Sequence, residues 1–435
     1  MLSAFGRVIK TADLRRKLLF TLGMIVLYRM GTFIPAPGIS YGTVQQCLNA
    51  NQTHGGAYDI INLFSGGALL QLSIFALGVM PYITASIIIQ LLRVVIPRFQ
   101  ELHDEGAQGQ AKLTQYTRYL TIALALLNAT TIVSMARSGV LLGNCPGIIP
   151  QDDVLHILVI IITLCAGTGV IMWMGEQITE RGVGNGMSLL IFTSIASSFP
   201  NALGSILEQQ GPFVFWSVCL VGLAVMLAVV YVEQSVRRVP VQYAKRMIGR
   251  RTIGGTSTYI PLKVNMAGVI PIISASSLLT LPGIIAQFNT PQGGAAPPEW
   301  VNWVNTYLTR GDHPLYIVLY FLLILGFTYF YVAVTFDPVE VADNMKKYGG
   351  FIPGVRAGKP TERYLSYVLT RITLPGSLYL AVVSMIPLVA LVLFNANQNF
   401  PFGGASLLIV VGVGLDTLKQ VSAQLQQRNY EGLLR

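Results

Sequence analysis

Charge is scarce in this sequence. Of 435 residues only 11% are Asp, Glu, Lys or Arg, less than half the roughly 25% of an average soluble domain, while 53% are hydrophobic. No stretch between the apolar runs is long enough to build a soluble domain with a core of its own. Histidine and cysteine are equally sparse, at four each. His54, His103, His156 and His313 fall in four separate loops or span ends, and there is no CxxC, HExxH, Ser-His or paired-acid arrangement. Zinc, thiol redox chemistry and intramembrane hydrolysis therefore have no ligand set or nucleophile to work with. A GxxxxGK[ST] phosphate loop is missing too, so energy from nucleotide hydrolysis must come from elsewhere. No cofactor is expected. Of the cysteines, Cys165 and Cys219 lie in apolar runs, and Cys47 and Cys145 fall in loops on one side, which leaves open either a bridge or two free thiols.

Long apolar runs are abundant. Ten segments stand out, near residues 18–37, 74–94, 117–137, 154–174, 184–203, 213–233, 266–288, 314–335, 372–394 and 403–420, numbered here as spans 1 to 10. Most approach the roughly 20 residues that cross about 30 Å of hydrocarbon. The last is marginal, because Asp416 and Lys419 interrupt it. Arg7, Lys10, Arg15, Arg16 and Lys17 precede a first run too long for a signal-peptide core, so span 1 is expected to be retained. The expected class is an all-α polytopic membrane protein.

The basic residues set its orientation. Lys and Arg are absent from Met30 to Leu92, whereas Arg93, Arg98, Lys112 and Arg118 crowd the connection after span 2. Arg181 follows span 4, seven basic residues from Arg237 to Lys263 follow span 6, and five from Lys346 to Arg363 follow span 8. Arg137 and Arg310 stand nearly alone between. The positive-inside rule puts even-numbered connections and both termini in the cytoplasm.

One phrase is written twice. "GVMPYITASII", Gly78 to Ile88, and "GVIPIISASSL", Gly268 to Leu278, agree at six of eleven positions. They fall in spans 2 and 7, five crossings apart. Five is odd, so the copies run through the membrane in opposite directions, the signature of an inverted repeat of five plus five spans. The alternative is coincidence between two proline-bearing helices rich in small residues. Val79 and Ile83 share a helix face, with Ile273 as the counterpart of Ile83; spacing alone leaves these aliphatic residues as a midplane constriction or as ordinary packing. An ion-coupled solute transporter of inverted-repeat design would need ionisable groups at that depth. Arg29, Glu176, Glu233 and Asp416 are the charged residues in or beside spans, and the three acids lie near cytoplasmic ends where interfacial anchoring accounts for them. A constriction that gates by dewetting needs no charge. Before span 2, "DIINLFSGGALLQL" (Asp59 to Leu72) is apolar but half a span long; such an element survives at membrane depth only inside protein or beside a water-filled cavity.

The segments "NLFSGGAL", "SIFALGVMPYITASIIIQLL", "MWMGEQITERGVGNGMSLLIF", "PLKVNMAGVIP" and "FGGASLLIVVGVGLD" resemble the signature stretches of the SecY family, the central subunits of bacterial protein-conducting channels, and the resemblance runs over essentially the whole length. It implies two inverted-topology halves of five helices forming a clamshell around a central pore: spans 1–5 in residues 18–203 and spans 6–10 in 204–420, with a cytoplasmic segment 1–17 and a tail 421–435. Carried over by position, the resemblance assigns the pore ring to Val79, Ile83, Met187, Ile191, Ile273 and Ile409. Most members have isoleucine at nearly all six places, so Val79 and Met187 put the ring's diameter in doubt, not its apolar character. Residues 58–72, with Ile60, Asn62, Leu63, Phe64, Ser65, Gly66 and Gly67, resemble a plug that pivots at the two glycines. Spans 2 and 7 resemble the faces of a lateral gate closed against spans 3 and 8, with Gln90, Thr117 and Asn265 as its polar cluster and Pro81 and Pro271 permitting a bend. Interhelical hydrogen bonds in lipid average only about 0.6 kcal/mol, so a hydrophobic signal sequence suffices to open such a closure.

The connection from Arg237 to Lys263 reads as two strand-like arms with a turn at Gly254-Gly255. The resemblance makes the cytoplasmic loops 237–265 and 337–371 docking elements, through Lys245, Arg246, Arg250, Arg251 and Arg356, for the ribosome's RNA and proteins or for the SecA motor ATPase. It further implies SecE-like and SecG-like small membrane subunits, signal-sequence-bearing polypeptides as substrates, contact with membrane lipids, a bacterial cytoplasmic-membrane location and no enzymatic activity. An intramembrane enzyme would be told apart by turnover of a lipid substrate, and a solute transporter by ion-driven uptake.

Overall fold

The computed structural model describes residues 11–50, 65–69, 71–137, 148–149, 153–243, 246–248, 251–253, 257–288, 298–309, 313–394 and 404–431. Each of the ten apolar segments lies on a helix. Six helical stretches among the described residues are by themselves long and apolar enough to cross a membrane: Ala107–Arg137, Val154–Arg181, Gly211–Glu233, Pro314–Lys347, Lys359–Ile386 and Ser406–Leu425. Spans 1, 2, 5 and 7 fall short for identifiable reasons. Span 1, Ala12–Phe33, carries Arg15, Arg16, Lys17 and Arg29. Span 2, Met80–Arg93, meets Pro97–His103 at a bend of 103° and becomes a seventh crossing only if the pair is counted as one. The apolar parts of spans 5 and 7 are the shorter helices Gly186–Pro200 and Ile270–Leu279. Short apolar helices are tolerated where protein, not lipid, surrounds them, and in both of these many side chains are buried.

Span 2 begins later than its hydropathy suggests. Residues 71–79 form turns, and the helix starts at Met80. Ile34–Ala36, at the end of span 1, is paired to this stretch through Ile74 N–H to the Ile34 carbonyl (2.9 Å) and Ala36 N–H to the Leu72 carbonyl (3.0 Å). Hydrogen bonding with another chain segment thus satisfies backbone that a helix would have satisfied internally. Spans 5 and 6 run on as one helical stretch, Gly186–Glu233, broken at Gly211, whose φ of 82° is outside the helical range.

At the face bearing the basic connections, β1 (Val236–Tyr243) pairs antiparallel with β4 (Ser257–Lys263), and β5 (Gly350–Phe351) adds to the other edge of β1. The short ladder β2 (Arg246–Ile248) with β3 (Arg251–Ile253) continues the hairpin. Ile248 opposes Arg251, so the chain reverses between those two residues, ahead of the turn expected at Gly254-Gly255, a pair that lies outside the described residues. A glycine pair signals a turn only when the register on both sides agrees, and here the alternating arms fix the centre elsewhere. The sheet has its own core, in which Val239, Val241 and Leu262 meet Met345, Ile352 and Leu365 from the connection after span 8 and from span 9. Span 10, Gly404–Glu431, extends past the marginal apolar run, and Leu425 packs with Leu14 and Val183.

Candidate pore and gate

The repeated phrase folds the same way twice. Gly78 (φ 56°) and Gly268 (φ 64°) both occupy the left-handed region, and two residues later each chain enters a helix, at Met80 and at Ile270. Glycine is the residue that takes this conformation without steric cost. Pro81 and Pro271 are each the second residue of their helix. This corrects the bend expected of them: in a first turn the N–H has no intrahelical acceptor to lose, so proline there starts a helix and does not kink it. Ile83 N–H then bonds the Val79 carbonyl (3.1 Å), as Ile273 N–H bonds that of Val269 (3.3 Å).

All six candidate ring residues fall in one apolar cluster. Val79, Ile191, Ile273 and Ile409 are buried within it, and Ile83 and Met187 pack against it half-buried. They arrive on spans 2, 5, 7 and 10, hence from both halves. Span 5 is placed by Asn185, whose Oδ1 caps the helix by accepting from Met187 N–H (3.1 Å) and Ser188 N–H (3.3 Å). A Cβ at Gly186 would collide with the Gly175 carbonyl of span 4, so the two backbones approach closely where a small residue allows it. Met187 and Ile191, one turn apart, then face the cluster. Tyr28, the member of the cluster that carries a hydroxyl, has it engaged by Ser194 Oγ at 2.6 Å.

Of the residues expected in the plug, Ile60, Asn62, Leu63 and Phe64 lie outside the described residues. Ser65, Gly66 and Gly67 lie in a turn, both glycines with positive φ (67° and 89°). The Ser65 hydroxyl accepts from Leu69 N–H (3.1 Å), and the Gly66 carbonyl accepts from Arg29 Nη1 (3.0 Å). A Cβ on Gly66 would stand 3.1 Å from Ser194 Cα of span 5. The role of Arg29 was not legible: its partner is 37 residues away and is a backbone atom.

Gln90 and Thr117 line one cavity, of about 410 Å³, bounded by spans 2, 3, 7 and 8. Asn265 does not join them. Its amide donates to Glu233 Oε1 (2.6 Å) and to the Gly268 carbonyl (3.1 Å), tying the end of span 6 to the turn that starts span 7. The three acids set aside as interfacial anchors have specific partners: Glu176 receives both ends of the Arg118 guanidinium at 2.8 Å, Asp416 faces Lys263 Nζ at 3.4 Å, and Glu233 holds Asn265. Sequence reasoning missed Arg93, whose Nη2 reaches 3.5 Å from the Val334 carbonyl at the end of span 8. An arginine inside an otherwise uncharged helix was the available signal.

Among the docking candidates, Lys245 and Arg250 lie outside the described residues, while Arg246 and Arg251 open β2 and β3. Arg356 is exposed in the turn before span 9, its carbonyl accepting from Thr361 Oγ1 (3.0 Å). Cys145 likewise lies outside the described residues, as does the Cys47 side chain; Cys165 and Cys219 are free thiols.

Residues 73–418 match the family model described as SecY. The chain is 62% identical over 436 residues to the protein translocase subunit SecY of Micrococcus luteus and 56% identical over 441 residues to that of Mycobacterium tuberculosis, in each case over 100% of both chains. Its fold is similar to "The structure of a protein conducting channel" (TM-score 0.62, 18% identity, 94% of this chain and 91% of that one) and to "Sec61 in the Canine ribosome-channel complex from the endoplasmic reticulum" (TM-score 0.60, 17% identity, 94% and 91%).

Proposed function

Because this chain belongs to the SecY family and is a protein-translocase channel subunit, we propose that its halves, 18–203 and 204–420, close around a polypeptide path at the cluster of Val79, Ile83, Met187, Ile191, Ile273 and Ile409. The observation that carries this reading is that six apolar side chains from four spans and both halves meet in one cluster. A ring of this kind is dry when empty and deforms around a chain passing through it, Met187 being its most adaptable member. Residues 58–72 form the plug on its outer side, with Arg29 holding the Gly66 carbonyl in the closed state. Spans 2 and 3 part from spans 7 and 8 to release apolar segments into lipid, and the cavity beside Gln90 and Thr117 marks where that seam is already loosely filled.

The protein sits in the bacterial cytoplasmic membrane with both termini and the strand-bearing basic face in the cytoplasm. The one-sided basic charge supports this orientation. It performs no covalent chemistry; SecA or a ribosome supplies the drive by docking on loops 237–265 and 337–371, and SecE-like and SecG-like subunits complete the complex. The reading as an ion-coupled solute transporter is disfavoured by the names its relatives carry and by a central cluster without ionisable groups at the six positions.

The test is crosslinking from photoreactive residues placed singly at Ile83, Ile273 and Ile409 to a secretory precursor arrested in reconstituted membranes. All three are expected to label the precursor, and labelling is expected to vanish when the precursor lacks its signal sequence. If correctly assembled protein moves precursor and none of the three labels it, the path does not run through the cluster.

A further inference from the structure

The cavity between spans 2, 3, 7 and 8 has an unbalanced charge. Arg93, in the last turn of span 2, lines it together with His103, Gln90, Gln110 and Thr117, and no carboxylate does so among the described residues. The Arg93 Nε is sealed from solvent and has no hydrogen-bond partner among the described residues. The one protein contact of its guanidinium among the hydrogen bonds described is the Val334 carbonyl, at the 3.5 Å limit of such a bond. The Thr117 hydroxyl is committed to the Leu113 carbonyl (3.0 Å), and the other lining residues with donors, Tyr82, Ser86, Gln90, His103, Gln110, Tyr331 and Thr335, leave the guanidinium as the one permanent charge on the cavity wall among the described residues. A half-buried guanidinium with so little protein contact is costly unless an anion meets the nitrogens that are not sealed. Its fork geometry matches phosphate oxygens.

We propose that this cavity binds the phosphate of an anionic phospholipid, with Arg93 as the anchoring residue. The source follows from position. Arg93 lies at the end of an apolar helix on the side where basic residues cluster, the depth of headgroup phosphates, and basic pockets between membrane helices on that side suit anionic headgroups. Spans 3 and 8, whose ends on this side wall the cavity, run on from it as long apolar helices, Ala107–Arg137 and Pro314–Lys347, which gives acyl chains apolar surface next to the headgroup. A free phosphate shares the headgroup's chemistry but has no use for those surfaces. The site stands on the cavity and its charge, and does not depend on whether the four spans part during transport.

Photoactivatable phosphatidylglycerol and phosphatidylcholine, each with the reactive group near the headgroup, are compared on the full chain in phosphatidylcholine vesicles without precursor, and labelled peptides are mapped. Phosphatidylglycerol is expected to label the segments around Gln90–Thr117 and Tyr331–Thr335 several-fold more than phosphatidylcholine. Arg93→Gln should remove that preference and Arg93→Lys should keep most of it. Unlabelled phosphatidylglycerol should compete, and inorganic phosphate should not. Equal labelling by the two lipids in the unaltered chain overturns the proposal without reference to any variant's folding. So does a preference that survives Arg93→Gln, or full competition by inorganic phosphate, which would make the site one for a free anion. Since no precursor is present, none of these outcomes bears on the channel reading.

Discussion

Gly268 and Gly326 differ in backbone, not in space. An added Cβ would meet nothing within 4 Å at either, but Gly268 has a φ of 64° while Gly326 sits within the span 8 helix. Gly268→Ala should therefore cost about 1–2 kcal/mol for a left-handed L-residue, and Gly326→Ala should be neutral or stabilising by less than about 1 kcal/mol. Thermal unfolding of the two purified variants checks this, and equal midpoints would show that the conformation of the repeated phrase is not what its glycine is for. The same reasoning separates these positions from Gly66, where positive φ coincides with the nearby Ser194 backbone and both costs act together.

Spans 2 and 7 open with a proline in the first turn, whereas Pro282 stands in the interior of span 7, Ile270–Phe288. Only the interior proline removes a helical hydrogen bond. With spin labels on spans 2 and 7, Pro81→Ala and Pro271→Ala should leave the resting interspan distance distribution unchanged, and Pro282→Ala should narrow it by stiffening the outer part of span 7. A shift caused by Pro271→Ala would restore the bend read from the sequence. These elements also show where legibility ended. Apolar length and basic connections placed all ten segments on helices, because both signals are local. The start of span 2 was missed because its first six apolar residues, Ile74 to Val79, hydrogen-bond in turns and to the end of span 1, a tertiary choice that hydropathy does not encode. The ring residues came from family resemblance, since their spacing alone fitted packing equally well. Asn265 was grouped with Gln90 and Thr117 by the same resemblance, yet its amide is engaged by Glu233 and Gly268, contacts that no one-dimensional pattern displays.

At the scale of the molecule the seam between halves is uneven. Span 10 meets the N-terminal half both in the central cluster, where Ile409 and Val413 join Leu190 and Ile191, and at its far end, where Leu425 packs with Leu14 and Val183, while span 7 touches span 2 at only a few points. The halves are thus joined firmly on one side and loosely on the other, and motion is expected on the loose side. Ser86→Cys and Thr335→Cys line the same cavity from spans 2 and 8; joining them with a bifunctional thiol reagent should abolish insertion of membrane segments, and the unjoined double variant should retain it. Normal insertion through the joined form would place the exit elsewhere. The sheet at the basic face adds a mechanical consequence. Its seven-pair ladder between β1 and β4 is a stiff arm of roughly 20 Å, mounted on span 6 at one foot and, seven residues beyond Lys263, on span 7 at the other. Strand β5 and the shared core fasten the second basic loop to the same arm, and Lys263 rests against Asp416 of span 10. A sideways push delivered to either loop is therefore received as torque about the base of span 7, with span 10 as the fulcrum.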